Sequence, residues 1–159
     1  MIQTIEQLAI QTSHQLAKRS WKLAVVESCT GGGLAYYLTE IPGSSAWFER
    51  GWVTYSNQAK QDLGVSPHTL SNFGAVSEQT AREMAENGLK QSQADVCISI
   101  TGIAGPDGGS DDKPVGMVWF GWAGVKFETK ALVDLFPGSR HEIRLQSIKI
   151  ALTKLLEFV

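Results

Sequence analysis

Cysteine, histidine and proline are all scarce in this 159-residue chain, with two, three and five copies respectively. The two cysteines, Cys29 and Cys97, stand far apart in apolar surroundings, without a Cys-x-x-Cys pair or a neighbouring histidine. That argues against a disulfide framework and a zinc site, and Cys29 reads as a buried thiol rather than a reactive one. His14, His68 and His141 have no ligand spacing and fall on segments that read as solvated helix or loop. Charged residues make up only 19% and the net charge is −2, so the chain has no general attraction for nucleic acid or an anionic membrane. No apolar run approaches the roughly 20 residues that a bilayer demands. Residues 1–19 read as a polar amphipathic helix without the apolar core of a signal peptide, which predicts a cytoplasmic protein.

What is present is an ordinary globular composition, 43% hydrophobic, in a length that suits a single domain spanning 1–159. Ile5, Leu8, Ala9, Thr12 and Leu16 recur at helical spacing and predict a helix over 3–19. A short apolar strand over 22–27 runs into a Gly-rich turn and a helix ending near Thr39. Trp52 to Tyr55 reads as a second strand, followed by a short helix that Ser56 or Asn57 caps and that carries Lys60. Pro67, Asn72 and Gly74 mark a loop, and Ser77 opens a helix with the stripe Ala81, Met84, Ala85 and Leu89. Strands are expected over 95–100, 116–122 and 126–136, the last two joined tightly enough to be antiparallel. Ser139 and Glu142 form a capping box for a final helix that buries Ile148, Ala151, Leu152 and Leu155. Helices alternating with the first strands imply parallel pairing there. The expectation is an α/β fold whose mixed, mostly parallel five-stranded sheet lies between helical layers. Strand four, with Trp119, Phe120 and Trp122, is apolar on both faces and so is expected to be interior or covered.

Three polar clusters follow strand ends, where sites of open α/β sheets gather. The first, Ser28-Cys29-Thr30-Gly31-Gly32-Gly33, sits between a strand and a helix N-terminus. Such a turn can cradle a phosphate, present a serine nucleophile beside an oxyanion hole, or do neither. The second, Tyr55 to Lys60, supplies a lysine that can act as a base if burial lowers its pKa, and a tyrosine that could orient it or relay a proton. A solvated lysine and an edge tyrosine are the bland alternatives. The third, Thr101 to Gly109, allows close backbone approach to a ligand. Arg140 and Arg144, four apart on one helix face, could hold a phosphate or simply form a basic stripe. Asp111 and Asp112 are adjacent, diverge too much to grip one ion, and read as a solvated loop.

Taken together, Glu27 to Gly32, Phe48 to Lys60, Gly74 to Glu78 and Gly102 to Gly109 resemble the nicotinamide-nucleotide amidase family, also described as the C-terminal domain of the competence/damage-inducible protein CinA. The four blocks occur in order and span nearly the whole chain. The resemblance implies a three-layer α/β/α sandwich with a mixed five-stranded sheet, assembled as a homodimer. It implies hydrolysis of the carboxamide of nicotinamide mononucleotide, a small-molecule nucleotide, to nicotinate mononucleotide and ammonia. The mechanism it implies uses a serine/lysine pair, with no metal and no cofactor. Carried onto this sequence, Ser28 is the nucleophile, Lys60 the base and Tyr55 an assisting group. Thr30, Gly31, Gly32, Thr101, Gly102, Gly105, Arg140 and Arg144 are the candidate substrate contacts. Helix N–H groups after the Gly-rich turn are expected to stabilise the oxyanion. A non-catalytic nucleotide-binding module using the same loops is the rival reading. The additional N-terminal nucleotide-pyrophosphatase domain of longer members is not expected here.

Overall fold

A computed structural model describes residues 1–159. It has six helices, α1 (Ile2–Arg19), α2 (Gly33–Thr39), α3 (Asn57–Leu63), α4 (Pro67–Phe73), α5 (Glu78–Lys90) and α6 (Arg140–Leu155). The five strands are β1 (Leu23–Glu27), β2 (Phe48–Val53), β3 (Val96–Gly102), β4 (Met117–Gly124) and β5 (Phe127–Leu135). They form one sheet in the order β2-β1-β3-β4-β5. β1 pairs parallel with β2 and β3, while β4 pairs antiparallel with β3 and β5. Four strands therefore share one direction and only β4 is reversed, as the short β4–β5 connection requires.

Strand alternation divides the core between two helical layers. On one face Leu23, Val25, Ile98, Phe120 and Trp122 pack with residues of α1, α2 and α6. On the other, Ala24, Val26 and Cys97 pack against Leu63 of α3, Leu70 of α4 and Met84 of α5. This is the expected three-layer sandwich. β4 lies inside the sheet, between β3 and β5, which accounts for its double-sided apolar sequence. The indole N–H of Trp122 donates to the Ala151 carbonyl of α6 at 3.1 Å, so the largest buried side chain has no unmet polar group.

Two segments differ from expectation. The second strand runs from Phe48 to Val53 rather than from Trp52 to Tyr55, because it is the outer partner of β1 and takes its register from that strand. Gly51 permits this pairing, since a Cβ there would lie 2.9 Å from Val25 Cγ2. Residues around Pro67 form α4 instead of a loop. Pro67 occupies the first helical turn, where its missing N–H costs nothing, and the Ser66 hydroxyl accepts from the His68 N–H at 3.2 Å. Gly74 ends the helix rather than marking irregular chain.

Candidate active site

The carboxyl ends of β1, β2 and β3 meet on one side of the sheet. β1 is followed in the chain by the edge strand β2 on one side, and β3 lies on its other side, so the strand order switches direction here. The turn after β1 carries Ser28, whose N–H donates to the Ile100 carbonyl of β3 at 2.9 Å. The chain after β2 leaves the ladder at Thr54, caps α3 through Ser56, and thereby places Lys60 on the buried side of that helix. These two connections bring Lys60 Nζ to 2.9 Å from Ser28 Oγ.

Both side chains are withdrawn from solvent, Lys60 to 1% exposure and Ser28 to 8%. Burial pushes the lysine down to about 8 from its ordinary value near 10.5. At pH 7 roughly one molecule in ten then carries a neutral amine, against about one in a few thousand for a solvated lysine. Nζ also contacts the backbone carbonyls of Thr54 at 2.7 Å and Tyr55 at 3.3 Å. A neutral amine has two N–H donors, which those carbonyls can accept, and its lone pair is left for the Ser28 hydroxyl. The arrangement is thus a serine with a base oriented by two fixed acceptors, which is the requirement for an activated nucleophile.

Ser28, Cys29, Tyr55, Lys60, Thr101, Gly102 and Arg140 line a common cavity of about 210 Å³, closed further by Ala75, Val76 and Ala104. Small-molecule pockets typically span about 300–1,000 Å³, so only part of a nucleotide can be enclosed here. Thr101 is buried and its hydroxyl donates to the Ala75 carbonyl at 2.8 Å. Arg140 stands at the mouth, donating to the Gly105 carbonyl at 2.8 Å and to the Tyr55 hydroxyl at 3.1 Å. Tyr55 therefore meets Lys60 through its carbonyl, while its largely exposed ring reaches Arg140. Gly105 supports Arg140 and does not line the cavity.

Thr30, Gly31, Gly32 and Arg144 lie beside the cavity rather than in its wall. Arg144 donates to the Thr30 carbonyl at 3.1 Å and packs over Gly31. The Gly-rich turn commits only part of its backbone donors to the protein. The Gly31 and Gly33 N–H groups are bonded to Ser28 and Thr30 carbonyls. At the start of α2, the Leu34 and Ala35 N–H groups donate to the two carboxylate oxygens of Glu27, at 2.8 and 3.0 Å. Helix donors expected to face the oxyanion are thus already committed, whereas the Cys29, Thr30 and Gly32 N–H groups donate to no backbone or side-chain oxygen.

Cys29 is 5% exposed and its thiol is pushed up to about 11, chiefly by burial, so it is protonated near neutrality. Cys97, fully buried, is also pushed up. No three His, Cys, Asp or Glu side chains are grouped to hold a metal ion. No helix is long and apolar enough to cross a membrane. The residue that sequence reasoning passed over is Glu27. Its signal was a carboxylate ending an otherwise apolar strand, just ahead of a helix whose own N-cap position is a glycine.

The family model described as the CinA C-terminal domain matches residues 5–159. The chain is 49% identical over 157 residues to a protein named nicotinamide-nucleotide amidohydrolase PncC from Enterobacter agglomerans, covering 98% of this chain and 96% of that protein. It is 50% identical over 150 residues to the protein of the same name from Escherichia coli strain K12, covering 94% and 91%. Among solved structures, the competence/damage-inducible protein from Agrobacterium tumefaciens superposes with a TM-score of 0.94 at 44% identity, covering 97% of this chain and 94% of that one.

Proposed function

Because this chain belongs to the CinA C-terminal domain family, we propose that it is a nicotinamide-nucleotide amidase that hydrolyses the carboxamide of nicotinamide mononucleotide by a serine/lysine mechanism. The observation that carries the mechanism is the buried 2.9 Å contact between Lys60 Nζ and Ser28 Oγ.

Ser28 Oγ attacks the carboxamide carbon as neutral Lys60 takes the hydroxyl proton. The free Cys29 and Thr30 N–H groups stabilise the oxyanion of the tetrahedral adduct. Lys60 then passes its proton to the amide nitrogen, the C–N bond breaks and ammonia leaves. Water attacks the resulting ester, giving its proton to Lys60, and the second adduct collapses to release nicotinate mononucleotide and restore the Ser28 hydroxyl. One tunable amine thus serves as base and acid in turn. The buried Lys60–Ser28 contact favours this reading over a passive phosphate-binding role, which needs no base beside the serine.

The cavity encloses the ring end of the substrate, and Arg140 at the mouth takes the 5′-phosphate. Tyr55 assists by holding Arg140 and closing the same wall. Nicotinamide riboside lacks the phosphate and is expected to react with kcat/KM lower by about tenfold to a hundredfold. Near-equal values for riboside and nucleotide would remove Arg140 from recognition. The primary test is ammonia release from nicotinamide mononucleotide by the purified protein, and an enzyme that releases none overturns the assignment.

The protein acts as a homodimer. Support comes from Val133 and Leu135, which are exposed on the open edge strand β5 at 39% and 59%. Light scattering in solution tests the assembly. The two buried free thiols suit a reducing cytoplasm, which cell fractionation would check.

A further inference from the structure

The position of Glu27 follows from strand alternation. It shares the parity of Leu23 and Val25, which face the α1, α2 and α6 layer, so its side chain points toward α2. There it is 1% exposed, and its two oxygens accept from Leu34 and Ala35 in the first turn of that helix. A local cap is not available. Gly32, at the N-cap position, has φ 96 and Gly31 has φ 58, a left-handed stretch that side-chain-bearing caps rarely adopt. Capping from β1 instead has a consequence that a local cap would lack. It ties the residue before the 28–32 turn to the residues after it and closes the turn into a fixed ring. The turn so closed carries Ser28 and the unclaimed Cys29, Thr30 and Gly32 N–H groups.

The backbone of the same residue reaches the base. The Glu27 carbonyl accepts from the Thr54 N–H at 2.8 Å, and the Thr54 carbonyl accepts from Lys60 Nζ at 2.7 Å. The anchors of nucleophile and base therefore converge on one residue. We infer that Glu27 is the positioning residue of this site, its carboxylate fixing the Ser28 turn against α2 without touching substrate. The inference rests on the reading of Ser28 as nucleophile, and it assigns Glu27 no part in proton transfer.

The test is Glu27→Gln, which keeps length and shape but turns an amide NH2 toward one of the two N–H donors. Ammonia release is expected to fall about tenfold to a hundredfold in kcat, the loss that a misplacement of about 1 Å produces. KM should stay within about threefold, and the midpoint of the pH–rate profile should match the parent, because Lys60 keeps both carbonyl partners. A kcat within about twofold of the parent overturns the inference, as does a loss expressed in KM or a shifted midpoint. Glu27→Asp keeps the charge and withdraws it by one methylene. It should show the same split, whereas a parental Asp variant would make the effect one of charge alone and also overturn the inference. Labelling of Ser28 by a fluorophosphonate probe, followed by intact mass, separates this test from the substrate assignment. A parent that labels but releases no ammonia sinks only the substrate assignment. The labelling rates of the Gln and Asp variants then decide the role of Glu27, slowed rates supporting it and parental rates overturning it.

Discussion

Ser28 and Lys60 have no equivalents elsewhere in the cavity, so their variants separate roles sharply. Ser28→Ala removes one oxygen from a buried position and should lower ammonia release by several orders of magnitude with little change in melting temperature. Cys29→Ala should retain most of the activity, because a thiol pushed up to about 11 by burial is no nucleophile near neutrality. The reverse pattern would move the nucleophile to Cys29. Lys60→Arg would be a benign exchange for a solvated lysine, but Lys60 is 1% exposed and packed against two carbonyls. A bulkier, permanently charged guanidinium would be inactive and also destabilising there. Lys60→Met is the better probe, since it removes the base without adding a buried charge. Its turnover should be lost at every pH. The parent rate should rise with pH through a midpoint near 8 and then level, as the neutral amine accumulates. A parent rate flat from pH 6 to 10 would exclude Lys60 as the base.

Helix termini connect this chemistry to the frame. Arg140 is the first residue of α6, next to the Ser139 cap whose hydroxyl accepts from the Glu142 N–H at 3.3 Å while Glu142 accepts from the Ser139 N–H at 2.7 Å. Ser139→Ala should cost about 1 kcal/mol of stability. It should raise KM for the nucleotide more than it lowers kcat, because the loosened turn carries Arg140 but neither Ser28 nor Lys60. Kinetics in parallel with denaturant unfolding check this, and a KM equal to the parent's would detach Arg140 from the cap. That capping box was readable in the sequence, as were the β1 turn, the Lys60 helix and the β4–β5 hairpin, because each is written in local spacing. α4 was not, since Pro67 is a breaker inside a helix and a starter at its first position, and local spacing does not say which. The bounds of β2 were hidden because an edge strand takes its register from a neighbour more than 20 residues away. Glu27 escaped for the same reason in reverse. Its partners, Leu34 and Ala35, are backbone groups, and no residue type announces them.

The folded protein as a whole bears the cost of making Lys60 a base. Its pKa near 8 in the fold, against about 10.5 when unfolded, means that the unfolded chain binds more protons between those values. Stability from this group is therefore fully present above about 10.5, declines as pH falls toward 8, and is absent below it. The span of about 2.5 units corresponds to about 3 kcal/mol, a large fraction of a typical domain's total. The effect will not show as a simple rise in the parent, because the cysteines oppose it. Cys29 and Cys97 titrate higher in the fold than their ordinary value of 9.0. Their contribution is present below that value and lost as pH rises past it, within the same window. Comparison with Lys60→Met cancels Cys97 and the larger, burial-driven part of Cys29, leaving only the smaller coupling between Cys29 and the Lys60 amine. The difference in unfolding free energy, parent minus variant, should grow by about 3 kcal/mol from pH 7.5 to 10.5, measured by urea denaturation at matched ionic strength. A difference that stays constant over that range would mean that Lys60 titrates alike in folded and unfolded protein. The neutral amine at pH 7, and with it the serine/lysine mechanism, would then have no source.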